Sequence, residues 1–443
     1  MRRNNLTFKG GVRLNGNREL SRDKSIEVVQ DPKFVYIPLH QHVGAPCKAL
    51  VKVGDNVKVG QKIGDSEASL TAPVHASVSG VVKGIEKRYT PDGYNVECVV
   101  IESDGLNETH ESVKPRKDVE NLSGEEIVNI IREAGIVGMG GAAFPTHSKM
   151  TTSKDGNIDT IILNGAECEP FLTCDFRVML ERSEQVISGL ELLMKYFGLN
   201  SGYIGIEDDK LEAIEKLESV SKSTGKEINV VALKSKFPQG DSYRIVNSVT
   251  GRIVPKGGRC KDVNTMVSNV GTAVAITEAV YEGKPLYERI ITVSGNGIKE
   301  PKNLLVKIGT TIEDIIAYCG GFNGKPGKII AGGPMTGHTQ FTLDTPITKG
   351  TTGIIVFTEA ETKPEKVYPC IKCGKCIEVC PVNLQPNLIS GFSLKGKFEN
   401  TEKLNAEACI GCGACTYICP SKRPLTESIA HAKREINANR KSS

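Results

Sequence analysis

The chain is a multidomain α/β protein, and three features of its sequence predict this. Residues 33–103 form short β-prone runs broken by Gly and Pro. Residues 115–285 alternate β-branched runs with helix-period patterns, and eight cysteines crowd two matching runs after residue 363. Four units follow: 1–112, all-β; 113–285, α/β; 286–362, small α+β; and 363–443, helical and cysteine-rich.

Composition bounds the function. Over 443 residues, 39% are hydrophobic and 24% charged, as in ordinary globular domains. A net charge of +4 is too mild for a nucleic-acid surface, so no nucleic-acid partner is expected. The basic residues Lys433, Arg434, Arg440 and Lys441 read as a solvated end. No apolar run reaches the roughly 18 residues of a membrane span, and the start, MRRNNLTFKGG, lacks the apolar core of a signal peptide. Fourteen cysteines without an export signal point to metal ligation rather than to disulfides.

Taken in order, the runs FVYIPL, KALVKVGDNVKVGQKIG, TAPVHASVSGVVKGIEKR and ECVVIES predict the first unit's strands. They resemble the sandwiched hairpins of biotinyl and lipoyl carrier domains. The stretch SEASLTAPV, where such a domain modifies a lysine, has none. The expectation is a barrel-sandwich scaffold without a swinging arm. The polar linker HESVKPRKDVENLSGEE then leads into a helix, EEIVNIIREAG, with Ser123 as N-cap. IDTIILNGA and GYIGIE read as buried parallel strands between the helical patterns SEQVISGLELLMKYFG and KLEAIEKLESVSK. ERIITVSG, KIIAGGPM and TGIIVFTE surround one helix, TIEDIIAYCGG, which predicts a β-grasp arrangement.

The last unit carries CIKCGKCIEVCP (Cys370, Cys373, Cys376, Cys380) and CIGCGACTYICP (Cys409, Cys412, Cys415, Cys419). Each is the C-x-x-C-x-x-C-x-x-x-C-P run of two-cluster ferredoxins, in which three cysteines hold one [4Fe–4S] cluster and the fourth reaches the other. The expected quartets are Cys370, Cys373, Cys376 with Cys419, and Cys409, Cys412, Cys415 with Cys380. Paired zinc sites are the competing reading, disfavoured by the duplicated run with its following Pro. The 28 residues between Cys380 and Cys409 leave room for inserted helices. Cys47, Cys98, Cys168, Cys174, Cys260 and Cys319 have no ligand spacing and read as scattered buried thiols.

The α/β unit contains GMGGAAFPTHSKM, with Gly138, Gly140, Gly141, Ala142, Phe144 and Lys149. Successive small residues let backbone N–H groups approach a phosphate or planar ring, and Lys149 adds a positive charge; a plain tight turn is the alternative. NGAECEP, with Asn164, Glu167 and Glu169, directly follows a strand, where ligands of open α/β sheets sit.

These two motifs resemble those of the NADH-oxidising flavin subunit of respiratory complex I. The whole chain resembles the C-subunit family of Rnf electron-transport complexes, through IPLHQHVGAP, GMGGAAFPTHSK, NGAECEP, FPQGDSYRIVNSVTGR, VSNVGTAVAI, AGGPMTG and the paired cysteine runs. The resemblance implies noncovalent FMN held by Gly138, Gly140, Gly141, Ala142, Phe144, Lys149, Asn164, Glu167 and Glu169, with Asn269 and Thr272 closing the site. It also implies NAD(H) as substrate, stacked on the flavin near Phe144 and Glu169. Ser242 and Tyr243 stand where Glu-Lys is expected in many relatives, so the nucleotide contacts are not carried over. No general acid or base is expected for the hydride step. The function implied is exchange of a hydride between NAD(H) and FMN and of single electrons through two [4Fe–4S] clusters. In that family this chemistry links ferredoxin to NAD⁺ and to Na⁺ or H⁺ translocation. The place implied is peripheral, on the cytoplasmic face of the membrane, docked on membrane and iron–sulfur subunits. Two alternatives stand beside it: a soluble flavin and iron–sulfur reductase of the same architecture, and a flavin-free iron–sulfur adaptor.

Overall fold

A computed structural model describes residues 6–442, and the side chains only to residue 440. The expectations for the first five residues and for the Lys441 side chain lie outside the described residues. In the sandwich, a four-stranded antiparallel sheet (Phe34–Pro38, Asn95–Ser103, Gly80–Tyr89, Asn56–Val57) accompanies a three-stranded one (Lys48–Ala49, Lys62–Asp65, Val74–His75). Alternation puts Val35, Ile37, Ile63, Val74, Val82, Val99 and Ile101 into one shared core.

The α/β unit holds strands β1 (Thr160–Gly165), β2 (Ser201–Glu207), β3 (Glu227–Leu233) and β4 (Thr265–Asn269). Its helices are α1 (Gly124–Glu133), α2 (Thr146–Lys154), α3 (Cys174–Glu181), α4 (Ser183–Phe197), α5 (Leu211–Ser221), α6 (Ser242–Thr250) and α7 (Val270–Thr277). Ser123 caps α1 in a reciprocal box with Glu126, as the sequence predicts. The strands are all parallel in the order β3-β2-β1-β4. The chain therefore steps outward from β1 to β3 and returns to the other side of β1 with β4. This reversal opens a crevice beyond the carboxyl ends of β1 and β4.

The third unit is a mixed six-stranded sheet, and the helix Ile312–Tyr318 buries Ile312, Ile315 and Ile316 against it. Its edge strand, Ile26–Val28, pairs with 302–307 and comes from the segment assigned by sequence to the sandwich. Leu6 and Val12 bridge to Leu233 and Phe237 of the α/β unit. Residues 6–30 are thus a strap over two other domains. Their polar sequence lacks the periodicity that would reveal long-range pairing. At the other end, the helix Leu425–Ser442 is not a free solvated tail. Lys433 Nζ donates to the Cys409 carbonyl at 2.6 Å, and Arg440 pairs with Glu407 at 2.7 Å. The insertion between the cysteine runs supplies the helices Pro386–Ser393 and Phe398–Lys403.

Candidate functional site: a cleft between the α/β sheet and the cysteine module

The crevice is a cleft of about 880 Å³, large enough for more than one small ligand. Asn164 and Asn269 are register partners on adjacent strands at its floor. Asn269 ends β4, and its Oδ1 accepts from Gly271 N–H and Thr272 N–H to cap α7. Its Nδ2 donates to Asp175 at 2.7 Å. Asn164 Nδ2 donates to the Gly240 carbonyl at 2.8 Å, and its Oδ1 accepts from Ala166 N–H. Above them the glycine loop closes on itself, with Gly138 N–H to Phe144 O at 2.9 Å and Ala143 N–H to Gly138 O at 3.1 Å. Gly140 and Gly141 are exposed at its tip. Gly141 has φ +106° with open space where a Cβ would be, so its backbone can meet a ligand directly.

NGAECEP turns sharply after β1. Glu167 (φ 47°) and Phe171 (φ 66°), like Ala143 (φ 47°) of the glycine loop, hold left-handed conformations costly for residues with a Cβ. Long-range donors hold this turn. Arg18 Nη2 donates to the Glu167 carbonyl at 2.8 Å, and the fully buried Lys210 donates to the Ala166 carbonyl at 2.9 Å. The Glu167 carboxylate accepts from Asp175 N–H (2.7 Å) and Phe176 N–H (3.2 Å), at the start of α3. Burial, and then the Asp175 charge beside it, push Glu167 up to about 7; burial pushes Asp175 to about 6. Two desolvated carboxyls side by side keep a proton near neutrality. Glu169 accepts from Met335 N–H at 2.9 Å and from the Thr336 hydroxyl, tying the turn to the β-grasp unit, and its pKa is also raised by burial. Arg289, fully buried, donates to Met139 O at 3.2 Å and to Lys349 O, fixing the glycine loop from beneath.

Seven of the eleven expected cofactor residues line the cleft: Gly140, Gly141, Ala142, Asn164, Glu167, Glu169 and Asn269. Gly138, Phe144, Lys149 and Thr272 stand behind it. Thr272 Oγ1 accepts from Met139 N–H, which makes it a support of the loop. Lys149 Nζ donates to the Val267 carbonyl of β4, and burial lowers its pKa. Sequence reasoning missed Asp175 and Asp241, which line the cleft, and the supports Arg18, Lys210 and Arg289. It also took Cys168 and Cys174 as scattered thiols, whereas both border the cleft. No local pattern marks any of these residues. Among the described residues no Lys or Arg lines the cleft. The exposed backbone of Gly140 and Gly141 is what the loop leaves open to an anionic group there.

The two cysteine runs fold alike. Lys372 N–H donates to Cys370 Sγ, and Gly411 N–H to Cys409 Sγ, each at 3.4 Å, at matching left-handed positions. Gly374 and Gly413, φ 79° and 78°, start matching short helices. Cys370, Cys373, Cys376 and Cys419 line one small cavity. Cys380 stands with Cys409, Cys412 and Cys415: burial and then these neighbours push Cys412 up to about 12. The chain thus places Cys419 beside the first run's three thiols and Cys380 beside the second run's. Among the described residues no three His, Cys, Asp or Glu close round a single ion. Two sets of four thiols, with a backbone N–H turned to a cysteine sulfur in each run, are each the donor set of a [4Fe–4S] cluster. Bound iron would take the thiols as thiolates, and the N–H···S contacts suit them. Ile410 and Cys412 also line the large cleft, so the second quartet borders the same cleft as the glycine loop.

Comparison with known proteins agrees with this geometry. Residues 131–278 match the Nuo51 FMN-binding domain, 6–106 the RnfC barrel sandwich hybrid domain, 290–339 the SLBB domain and 369–423 the 4Fe-4S dicluster domain. Fold and site thus define an iron–sulfur protein built around an FMN-binding domain. The chain is 45% identical over 435 residues to the C subunit of the Na(+)-translocating ferredoxin:NAD(+) oxidoreductase complex of Acetobacterium woodii, covering 98% of each. It is 45% identical to the C subunit of the proton-translocating complex of Clostridium ljungdahlii, covering 98% of this chain and 94% of that one. The chain belongs to the family of C subunits of Rnf ion-translocating ferredoxin:NAD⁺ oxidoreductase complexes. A crystal structure of NAD+-reducing [NiFe]-hydrogenase shares the fold, with TM-score 0.52 and 16% identity over 73% of this chain and 63% of that one.

Proposed function

We propose that the chain exchanges a hydride between NAD(H) and noncovalently bound FMN in the cleft and passes single electrons through two [4Fe–4S] clusters to or from other subunits. The observation that carries this reading is that Cys412 lines the same cleft as Gly140, Asn164 and Glu169. FMN, when bound, supplies the conversion between two-electron hydride and one-electron chemistry. The chain's residues position it. The glycine loop offers backbone N–H groups, Asn164 and Asn269 fix the floor, and Glu169 holds the wall closed against Met335 and Thr336. Oriented ring stacking needs no side-chain acid or base for the hydride itself.

The quartet Cys409, Cys412, Cys415 and Cys380 is then the first cluster, and Cys370, Cys373, Cys376 and Cys419 the second. Cys370 and Cys373 are exposed, which suits the second cluster as the exit to a partner's iron–sulfur centre. Among the described residues no helix is long and apolar enough to cross a membrane. We place the chain peripherally, on the cytoplasmic face, docked on membrane and iron–sulfur subunits. Those subunits link it to ferredoxin and to Na⁺ or H⁺ translocation. Anaerobic titration of the purified chain with NADH tests the reading: flavin and cluster absorbance bleach together. Bleaching of neither contradicts it, and absence of acid-releasable flavin favours a flavin-free adaptor.

A further inference from the structure

The sandwich domain reaches the cleft through two segments, the loop His40–Gly44 and the hairpin tip Thr90–Tyr94. The first rests on the glycine loop, with Val43 N–H to Ala143 O at 3.2 Å. The second is strapped to the β-grasp unit: Gln340 Nε2 donates to Pro91 O at 2.8 Å, and Tyr89 packs edge-on to Phe341 at 4.9 Å. The tip is itself built. Thr90 N–H donates to Tyr94 O at 2.8 Å, Gly93 N–H to Thr90 O at 2.9 Å, and the Thr90 hydroxyl to Asp92. Gly93, at φ +85°, allows that turn.

A dinucleotide whose nicotinamide lies on the flavin at the strand ends must lay its adenosine half elsewhere in the cleft. Tyr and Phe rings on the lining number two: Phe237, 2% exposed, and Tyr94, 65% exposed. Of these two, Tyr94 is the ring open to a base, and Asp92, two residues away in the chain, is exposed as well. A carboxylate accepts from both hydroxyls of a ribose and repels a 2′-phosphate. Among the described residues the lining supplies no Lys or Arg to offset that repulsion.

We propose that the hairpin tip of the sandwich domain is the adenosine subsite: Tyr94 stacks on adenine and Asp92 accepts from the ribose 2′-hydroxyl, so the chain selects dinucleotides without a 2′-phosphate. This rests on the proposed NAD(H) site and assigns the sandwich domain a share of it. The test is calorimetric titration of the full flavin-loaded chain with ADP-ribose and with its 2′-phosphate, together with the flavin content of each variant. Tyr94→Ala weakens ADP-ribose about tenfold, the effect of losing one base-stacking ring. Tyr94→Phe binds as the parent does. Asp92→Asn narrows the preference for ADP-ribose over its 2′-phosphate while flavin content stays unchanged. If the parent binds ADP-ribose and NADH reduces its flavin, but Tyr94→Ala and Asp92→Asn bind both ligands as the parent does, the subsite is refuted and the proposed function stands. If the parent binds no ADP-ribose and NADH leaves its flavin oxidised, both fall.

Discussion

The buried pair Glu167 and Asp175 is where single residues matter most. Glu167 ordinarily titrates near 4.5, and the fold raises it to about 7. A raised carboxyl binds its proton more tightly folded than unfolded, so its stabilising contribution is fully present below about 4.5 and is lost as pH rises through about 7. Glu167→Gln, neutral at every pH, therefore gains thermal stability relative to the parent across that window, and parallel melting curves at pH 5 and pH 8 would show it. A constant difference would mean that the carboxyl is not desolvated. The motif NGAECEP makes Glu167 visible in the sequence because it follows a strand at once. Asp175 was not visible, since only the turn at Phe171 folds α3 back over the strand end. The donors Arg18, Lys210 and Arg289 were hidden for the same reason: each meets its carbonyl across 44 to 150 residues of chain.

Among elements, helix α7 carries the cap that floors the cleft, and its place depends on α4. A Cβ at Gly189 of α4 would lie 2.2 Å from the Ala273 carbonyl of α7. Alanine gains roughly 1 kcal/mol of helix propensity over glycine, but it drives the two helices apart, an overpacking cost of about 1–3 kcal/mol. Gly189→Ala should lower the melting temperature and loosen FMN. Gly391 in the helix Pro386–Ser393 has open space at the same position, so Gly391→Ala should raise it. The elements of the α/β unit were readable because helical and β-branched runs alternate cleanly. The N-terminal strap was not readable: Ile26–Val28 joins a sheet whose other strands begin 260 residues later.

For the whole molecule, the arrangement of four domains around one cleft is the result with functional weight. The two cysteine runs are legible because their thiols lie close in sequence and repeat one spacing. The opening of Cys412 onto the cleft that the glycine loop lines, some 270 residues upstream, had to be supplied by the fold. The account predicts an order of centres when NADH is the donor: from the cleft to the Cys409, Cys412, Cys415 and Cys380 quartet, then to the exposed one. Rapid freeze-quench electron paramagnetic resonance of the anaerobic chain mixed with NADH tests this most directly. The Cys373→Ser variant, whose serine ligand alters the signal of the outer cluster, tells the two apart. The account predicts that the unaltered inner cluster is reduced first and that the altered signal follows. Reduction of the altered cluster before the inner one would contradict it.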